Sequence, residues 1–409
     1  MPFKKDKQFY KFCFYGFFKN LRFFDAFFIL YLKHKGLSYT EIGSLYALRE
    51  IITNLSEIPT GVIADTYGRK KSLILSFLFY IISFLFFYWG DNYTWFLMAF
   101  LLYGIAEALR SGTHKAMIMD YLKLKSWSNE KINYYGHTRA CSQRGSALSS
   151  LIAGGIVFYT GQYEMIFLLS IFPYLFNLVL VWSYPSEIDL PDKKKQTDYK
   201  QSLKSLWLVL QSKEVWKIIH TAAVFTAYQK SIKDYIQPVM KLVVINIPLF
   251  IGFSQDKKIG LGIGILFFFL YLLTSFASKY SEKIAQKIPD IAVKSLWIGF
   301  LSGLAGGYFF ERKYWWLSLL FFTLIYLIEN IRKPVLTGYL SNAVPNKIFT
   351  SVLSAQSLYR TLLTSFLSLI FGFLADQVSL GYALLIVSGV LLLISFFLKI
   401  VKIQQAENS

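Results

Sequence analysis

Apolar residues run along this chain in blocks close to the length of a bilayer crossing, separated by charged, glycine and proline positions. Residues 72–88, SLILSFLFYIISFLFFY, and 382–398, YALLIVSGVLLLISFFL, contain no charge. A helix needs about 20 largely apolar residues to cross the hydrocarbon core. Breaking the blocks at charge, Gly and Pro predicts twelve transmembrane helices. They cover residues 10–33, 41–64, 72–90, 94–120, 136–160 and 163–184, then 214–240, 258–280, 291–310, 314–341, 350–376 and 379–402. The stretch 242–253, LVVINIPLFIGF, is too short to span alone and reads as an extension of the seventh helix or an interfacial loop. The expected class is an all-α membrane protein.

Between the sixth and seventh helices the pattern changes. Residues 184–201, YPSEIDLPDKKKQTDYKQ, are polar, lysine-rich and carry two prolines, as a cytoplasmic linker would. Leu203, Leu206, Trp207 and Leu210 follow at the spacing of one apolar helix face, which suits a short helix lying along the inner membrane surface. The organisation is therefore an N-terminal six-helix bundle (1–184), a linker with an amphipathic helix (185–213) and a C-terminal six-helix bundle (214–409). The halves repeat one another. EALRSG (107–112) in helix four matches ENIRKP (329–334) in helix ten, pairing Glu107 with Glu329 and Arg110 with Arg332. KNLR (19–22) matches KSIK (230–233), Arg144 matches Arg360, and SEKIAQKI (281–288) overlays ADTYGRKK (64–71) with Glu282 at the place of Asp65. Four weak matches in the same order mark two pseudo-symmetric bundles.

Composition then narrows the class. The chain is 55% hydrophobic and 19% aromatic, with a formal net charge of +19. That charge could suggest nucleic acid, but the bases cluster in alternate loops, at Lys4–Lys11, Arg69–Lys71, Lys123–Lys131, Lys193–Lys204, Lys279–Lys287 and Lys399–Lys402. This is the positive-inside pattern; it puts both termini in the cytoplasm and argues against a nucleic-acid partner. Lys33 and Lys35, and Lys257 and Lys258, stand in outer loops as exceptions. The two cysteines, Cys13 and Cys141, supply neither a disulfide framework nor metal spacing. No GxxxxGK[ST] loop, HExxH or Cys/His cluster appears, which argues against ATP-driven pumping and against an intramembrane metalloprotease. The chain is expected to be no enzyme and to need no metal or cofactor.

One loop is specific. GVIADTYGRK (61–70) has the form G-x-x-x-D-x-x-G-R-[KR], with Gly61, Asp65, Gly68, Arg69 and Lys70 on the pattern. With twelve helices in two related halves, it resembles the signature loop between helices two and three of the major facilitator superfamily. RSGTHKAMIMDYL (110–122) also looks like the end of helix four in bacterial members. The resemblance implies a transporter of the cytoplasmic membrane, working by alternating access. It also implies that Asp65 and Arg69 latch the cytoplasmic side against the start of helix eleven, where a carboxylate suits the positive helix N-terminus. Helix five holds Gly145, Gly154 and Gly155 but no proline, a departure from the Gly-Pro signature that many drug–proton antiporters of the family carry there.

Ionisable residues within spans cost several kcal/mol unless paired or hydrated, and so mark candidate functional groups. The resemblance implies that helices one, four, seven and ten line the cavity, and these carry most of the charges, whereas two outer helices are uncharged. Two uses compete: pairs that lock helices together, or groups that move protons and bind substrate. Asp25, Glu57, Glu107 and Glu329 are candidate proton carriers, since desolvation raises a carboxylate's pKa. Arg22, Arg110, Arg144, Lys230, Arg332 and Arg360 are candidate substrate-binding bases, with Tyr103 and Tyr326 one turn before the two glutamates. The excess of bases favours an anionic or zwitterionic small solute, proton-coupled, with export favoured over import, carried by a monomer in the lipid bilayer. The alternatives are a carrier or flippase for lipid-like anions, and a receptor of the same fold that binds without transporting. Of the histidines only His220 falls clearly within a span, and all four are expected to be structural or solvated.

Overall fold

The computed structural model describes residues 5–127, 130–189, 213–248, 252–288, 290–343 and 346–397; the side chains of 132, 133, 213–215, 218, 282, 337–343, 346–351 and 397 are outside this description. The expected amphipathic helix of the linker therefore lies outside the described residues. The described residues form helices and no strand: α1 (Lys7–Lys19), α2 (Phe28–His34), α3 (Tyr39–Tyr67), α4 (Arg69–Trp89), α5 (Tyr93–Arg110), α6 (Thr113–Leu124), α7 (Lys131–Thr160), α8 (Met165–Trp182), α9 (Lys213–Ile232), α10 (Ile236–Asn246), α11 (Gln255–Lys279), α12 (Ser281–Lys287), α13 (Ile291–Glu311), α14 (Trp315–Ala343), α15 (Asn346–Gln377) and α16 (Leu380–Phe397). Five stretches among them are long and apolar enough to cross a membrane: α4, α8, α11, α13 and Val352–Gln377 of α15.

Three expected helices are interrupted. The first is split by a short 3-10 turn at Phe23–Ala26, and the seventh by another at Lys233–Tyr235. The first break directly follows KNLR and the second begins at the last residue of KSIK, so the internal repeat extends to backbone geometry. Pro238, inside α10, has no N–H to donate to the carbonyl of Asp234, which accounts for the second break. The first break is held by the Asn20 side chain, whose amide donates to the Gly16 and Ser142 carbonyls at 3.0 Å each. The fourth helix stops at Arg110 and restarts at Thr113, because Gly112 sits in the left-handed region at φ 72°. In the second half Pro334 is accommodated inside the continuous α14.

The chain divides into two compact units: Met1–Leu37, Leu48–Lys195 and Ile247–Tyr271 form one, and Ser38–Ala47, Gln196–Asn246 and Leu272–Ser409 the other. In the first, α4 and α5 are joined by polar contacts. Ser72, Ser76 and Ser83 donate to the carbonyls of Leu109, Ala106 and Ala99 at 2.8–2.9 Å, the small-polar packing that holds helices where apolar surface gives no preference. Behind them lies an aromatic core; Phe24 stacks on Phe167 at 5.5 Å, and Phe28 on Phe100 at 5.3 Å. Glycines bring backbones close: a Cβ on Gly154 of α7 would stand 2.9 Å from the carbonyl oxygen of Gly260 on α11. In the second unit Asp376, at the end of α15, accepts from the Tyr39 and Thr40 amides at 2.9 and 2.6 Å. It caps the start of α3 as an anion does at a helix N-terminus.

Candidate functional site

In the first unit, Arg22 lies in the break after α1 and Glu107 and Arg110 lie on the last turn of α5. Arg22 Nη2 reaches Glu107 Oε1 at 2.7 Å, and Arg110 Nη2 bonds Glu107 Oε2. Arg110 Nε donates further to the Tyr80 hydroxyl at 3.1 Å. Glu107 is thus clamped by two guanidinium groups, one on each oxygen, and the cluster keeps one positive charge in surplus. Tyr103 is buried one turn earlier and packs edge-on against Tyr80 at 5.1 Å. Asp25 sits in the 3-10 turn near Arg22, half-buried.

The repeat-related residues of the second unit are arranged differently. Glu329 on α14 is 6% exposed. Its Oε1 accepts from the Thr226 hydroxyl at 2.8 Å, while its Oε2 is buried without a hydrogen-bond partner among the described residues. Arg332, one turn on, is turned away from it. Arg332 donates to the Ala292 carbonyl, to Ser295 Oγ at 2.7 Å and to the Thr221 carbonyl at 2.9 Å, and lies over the Phe225 ring. The guanidinium is spent on tying α14 to α13 and α9. Glu329 forms no ion pair among the described residues; Arg332, Lys333 and Arg360 act on it through space. Arg360 bonds Ser357 Oγ at 3.0 Å and lines, with Lys333 and Thr226, a cavity of about 280 Å³. The Tyr326 hydroxyl donates to the Lys233 carbonyl at 2.8 Å, across the second helix break, and Lys230 is half-buried on α9.

The signature turn is anchored within its own unit. Gly68 has φ 100° and ψ 144°, a conformation open in practice to glycine alone, and starts α4. Asp189 Oδ1 accepts from the Lys70 amide at 2.7 Å, Lys70 Nζ donates to the Tyr184 carbonyl at 2.9 Å, and Arg69 pairs with Asp120. The carboxylate that Arg69 engages is Asp120, 51 residues on, rather than the neighbouring Asp65, which is exposed. The side chains at the start of the eleventh helix and that of Glu282 are outside the described residues. Gly61 is exposed, as is Glu57, which accepts from Ser111 Oγ at 3.0 Å. Arg144 is exposed on α7. Asp120 and Asp189 were not expected as partners of the turn, although Asp120 belongs to the acidic end of the helix-four pattern. His114 stacks on Tyr15 at 3.5 Å and His220 bonds the Tyr359 hydroxyl at 2.7 Å.

The family model described as Major Facilitator Superfamily matches residues 12–368. The chain is 26% identical over 376 residues to the uncharacterized MFS-type transporter YxaM of Bacillus subtilis (strain 168), covering 92% of this chain and 90% of that one. It is 23% identical over 321 residues to the quinolone resistance protein NorA of Staphylococcus aureus (strain MRSA252), covering 76% and 75%. Among solved structures, the nucleoside transporter NupG superposes with a TM-score of 0.70 at 12% identity, covering 95% of this chain and 96% of that one. The chain belongs to the Major Facilitator Superfamily.

Proposed function

We propose that this transporter is proton-coupled and moves a small anionic or zwitterionic organic solute across the cytoplasmic membrane by alternating access, with Glu329 as the proton carrier. One observation carries the reading. Glu107 and Glu329 hold matching places in the two halves, yet Glu107 is held by two guanidinium groups and Glu329 by one hydroxyl. A carboxylate doubly paired with arginine stays ionised; one buried with a bare oxygen is costly as an anion and readily takes a proton. Arg332, with both terminal guanidinium nitrogens donating to backbone or serine, serves as a structural tie. Arg22, Arg110 and Glu107 form the polar face offered to substrate, and Asp25 and Glu57 are left to local structure. Similarity to a quinolone resistance protein supports export. The pairing of the outer-loop exception Lys35 with Glu164 at 2.8 Å supports an orientation with both termini inside, the chain acting as a monomer without a cofactor.

The test is solute-driven proton movement in proteoliposomes that enclose a pH-sensitive dye, scanned with organic anions, zwitterions and a quinolone. Glu329→Gln is expected to abolish proton movement while solute counterflow persists. Proton movement that survives in Glu329→Gln would overturn the assignment.

A further inference from the structure

Within the first unit, α1, α6 and α7 enclose a cavity of about 370 Å³ whose lining includes Tyr15, Lys19, Arg110, Lys115, Arg139 and Ser142. Four of these are cations, and no carboxylate is among the lining residues described. Glu107, behind the wall, neutralises one guanidinium and is itself shared with Arg22. Lys19 is half-buried at the end of α1; its carbonyl accepts from the Tyr174 hydroxyl at 3.3 Å, while its ammonium forms no ion pair or hydrogen bond among the described residues. A lysine in the last turn of a helix complements the helix dipole, which is worth too little to explain three further bases around the same space. Lys115 lies over the Tyr135 ring at 5.5 Å and Arg139 is exposed at the rim, neither with a carboxylate partner among the described residues. Tyr15, 2% exposed, buries a hydroxyl beside Arg110 that has no acceptor among them. The site therefore holds donors and positive charge in excess of anything the described protein supplies to receive them.

We propose that this pocket binds a small organic dianion, two negative charges carried on oxygen atoms, with a phosphate monoester as its compact form. Lys19, Lys115 and Arg139 receive the charged oxygens, the Tyr15 hydroxyl donates to one of them, and the aromatic wall takes the carbon body. With Glu107 neutralising one of the four cations, a single negative charge leaves two positive charges uncompensated and two leave one. The volume falls in the range of small-ligand sites, larger than the anion alone requires. The inference rests on the transporter reading above and deepens it by naming the substrate class.

The test is equilibrium binding to the full-length protein in phosphatidylcholine nanodiscs, without a proton gradient. The probes are inorganic phosphate, glycerol 3-phosphate and succinate, with acetate and glycerol as the monoanionic and neutral controls. The dianions are expected to bind at least about tenfold more tightly than the controls, and more weakly as salt screens the charges. Lys19→Gln is expected to weaken binding about tenfold. Arg139→Gln, at an exposed position that does not endanger folding, is expected to weaken it in the same direction. Phosphatidic acid added to the nanodiscs separates the sources of the dianion. Competition with glycerol 3-phosphate identifies a lipid headgroup, and its absence a soluble ester. Equal binding of dianions and controls, no binding of any dianion, or full binding in both variants would overturn the proposal. Binding that persists while transport proves independent of protons defeats only the coupling assigned to Glu329; gradient-driven transport without dianion binding defeats only this inference.

Discussion

Arg22 and Glu107 meet at 2.7 Å although 85 residues separate them, and the meeting depends on the break in the first helix. Both side chains are about one-fifth exposed, so losing one partner leaves the other charge poorly solvated. Glu107→Gln is expected to lower stability by about 1–3 kcal/mol, read as a lower melting temperature in detergent. Adding Arg22→Met to Glu107→Gln should recover part of the loss. A double variant no better than the single one would show that the pair is not what holds these helices.

Arg332 makes the opposite prediction from a substrate ligand. Its hydrogen bonds to α9 and α13 are buried, and lysine cannot reproduce the planar fork. Arg332→Lys is expected to cost about 2–3 kcal/mol of stability, while the KM for any identified solute stays near wild type. An unchanged melting temperature with a raised KM would return Arg332 to the substrate site.

Gly68 tests the signature turn. An alanine there meets a backbone conformation that L-residues avoid, and its Cβ would stand 2.8 Å from Asp189 Oδ1. Gly68→Ala is expected to cost about 1–3 kcal/mol. Asp189→Ala in the same chain should relieve the steric share but not the conformational one, so thermal melts of the two single variants and the double variant separate the contributions.

The Lys35–Glu164 pair sets a pH dependence where the end of α2 meets the start of α8. Burial pushes the Glu164 carboxyl up, but the Lys35 ammonium and the backbone amide outweigh it and hold the group below its ordinary value of 4.5. A depressed carboxylate contributes stability above its unfolded pKa and loses it as pH falls through the folded one. The loss therefore lies in acid, below that ordinary value. The pair is partly exposed, so its contribution is below about 1 kcal/mol. Melting curves from about pH 6 down to about pH 3 should show a shallower decline in Lys35→Ala than in wild type.

Much of this molecule is legible in its residues. The apolar blocks predict the helices, the G-x-x-x-D-x-x-G-R-K loop names the family, and KNLR against KSIK marks corresponding positions in the two halves. What escapes is of two kinds. Hydropathy averages over a window, so it runs straight through the 3-10 turns at Phe23–Ala26 and Lys233–Tyr235 and through Gly112. Pairing is the other kind. Glu107 with Arg110 and Glu329 with Arg332 share one spacing and meet opposite fates, because Arg22 arrives at the first glutamate while Ser295 and the Ala292 and Thr221 carbonyls draw away the second arginine. Partners that come from distant helices decide the chemistry, and local spacing carries no record of them.

The surplus positive charge of the Arg22–Glu107–Arg110 cluster also places this carrier under electrical control. A unit charge that crosses the full membrane exchanges about 2.3 kcal/mol per 100 mV. Under the proton-coupled reading, the empty protein with Glu329 protonated is cationic here, and an interior-negative voltage draws the cluster toward the cytoplasm. A bound monoanion cancels that pull and a dianion reverses it, so current recorded under voltage clamp reports which half of the cycle carries charge.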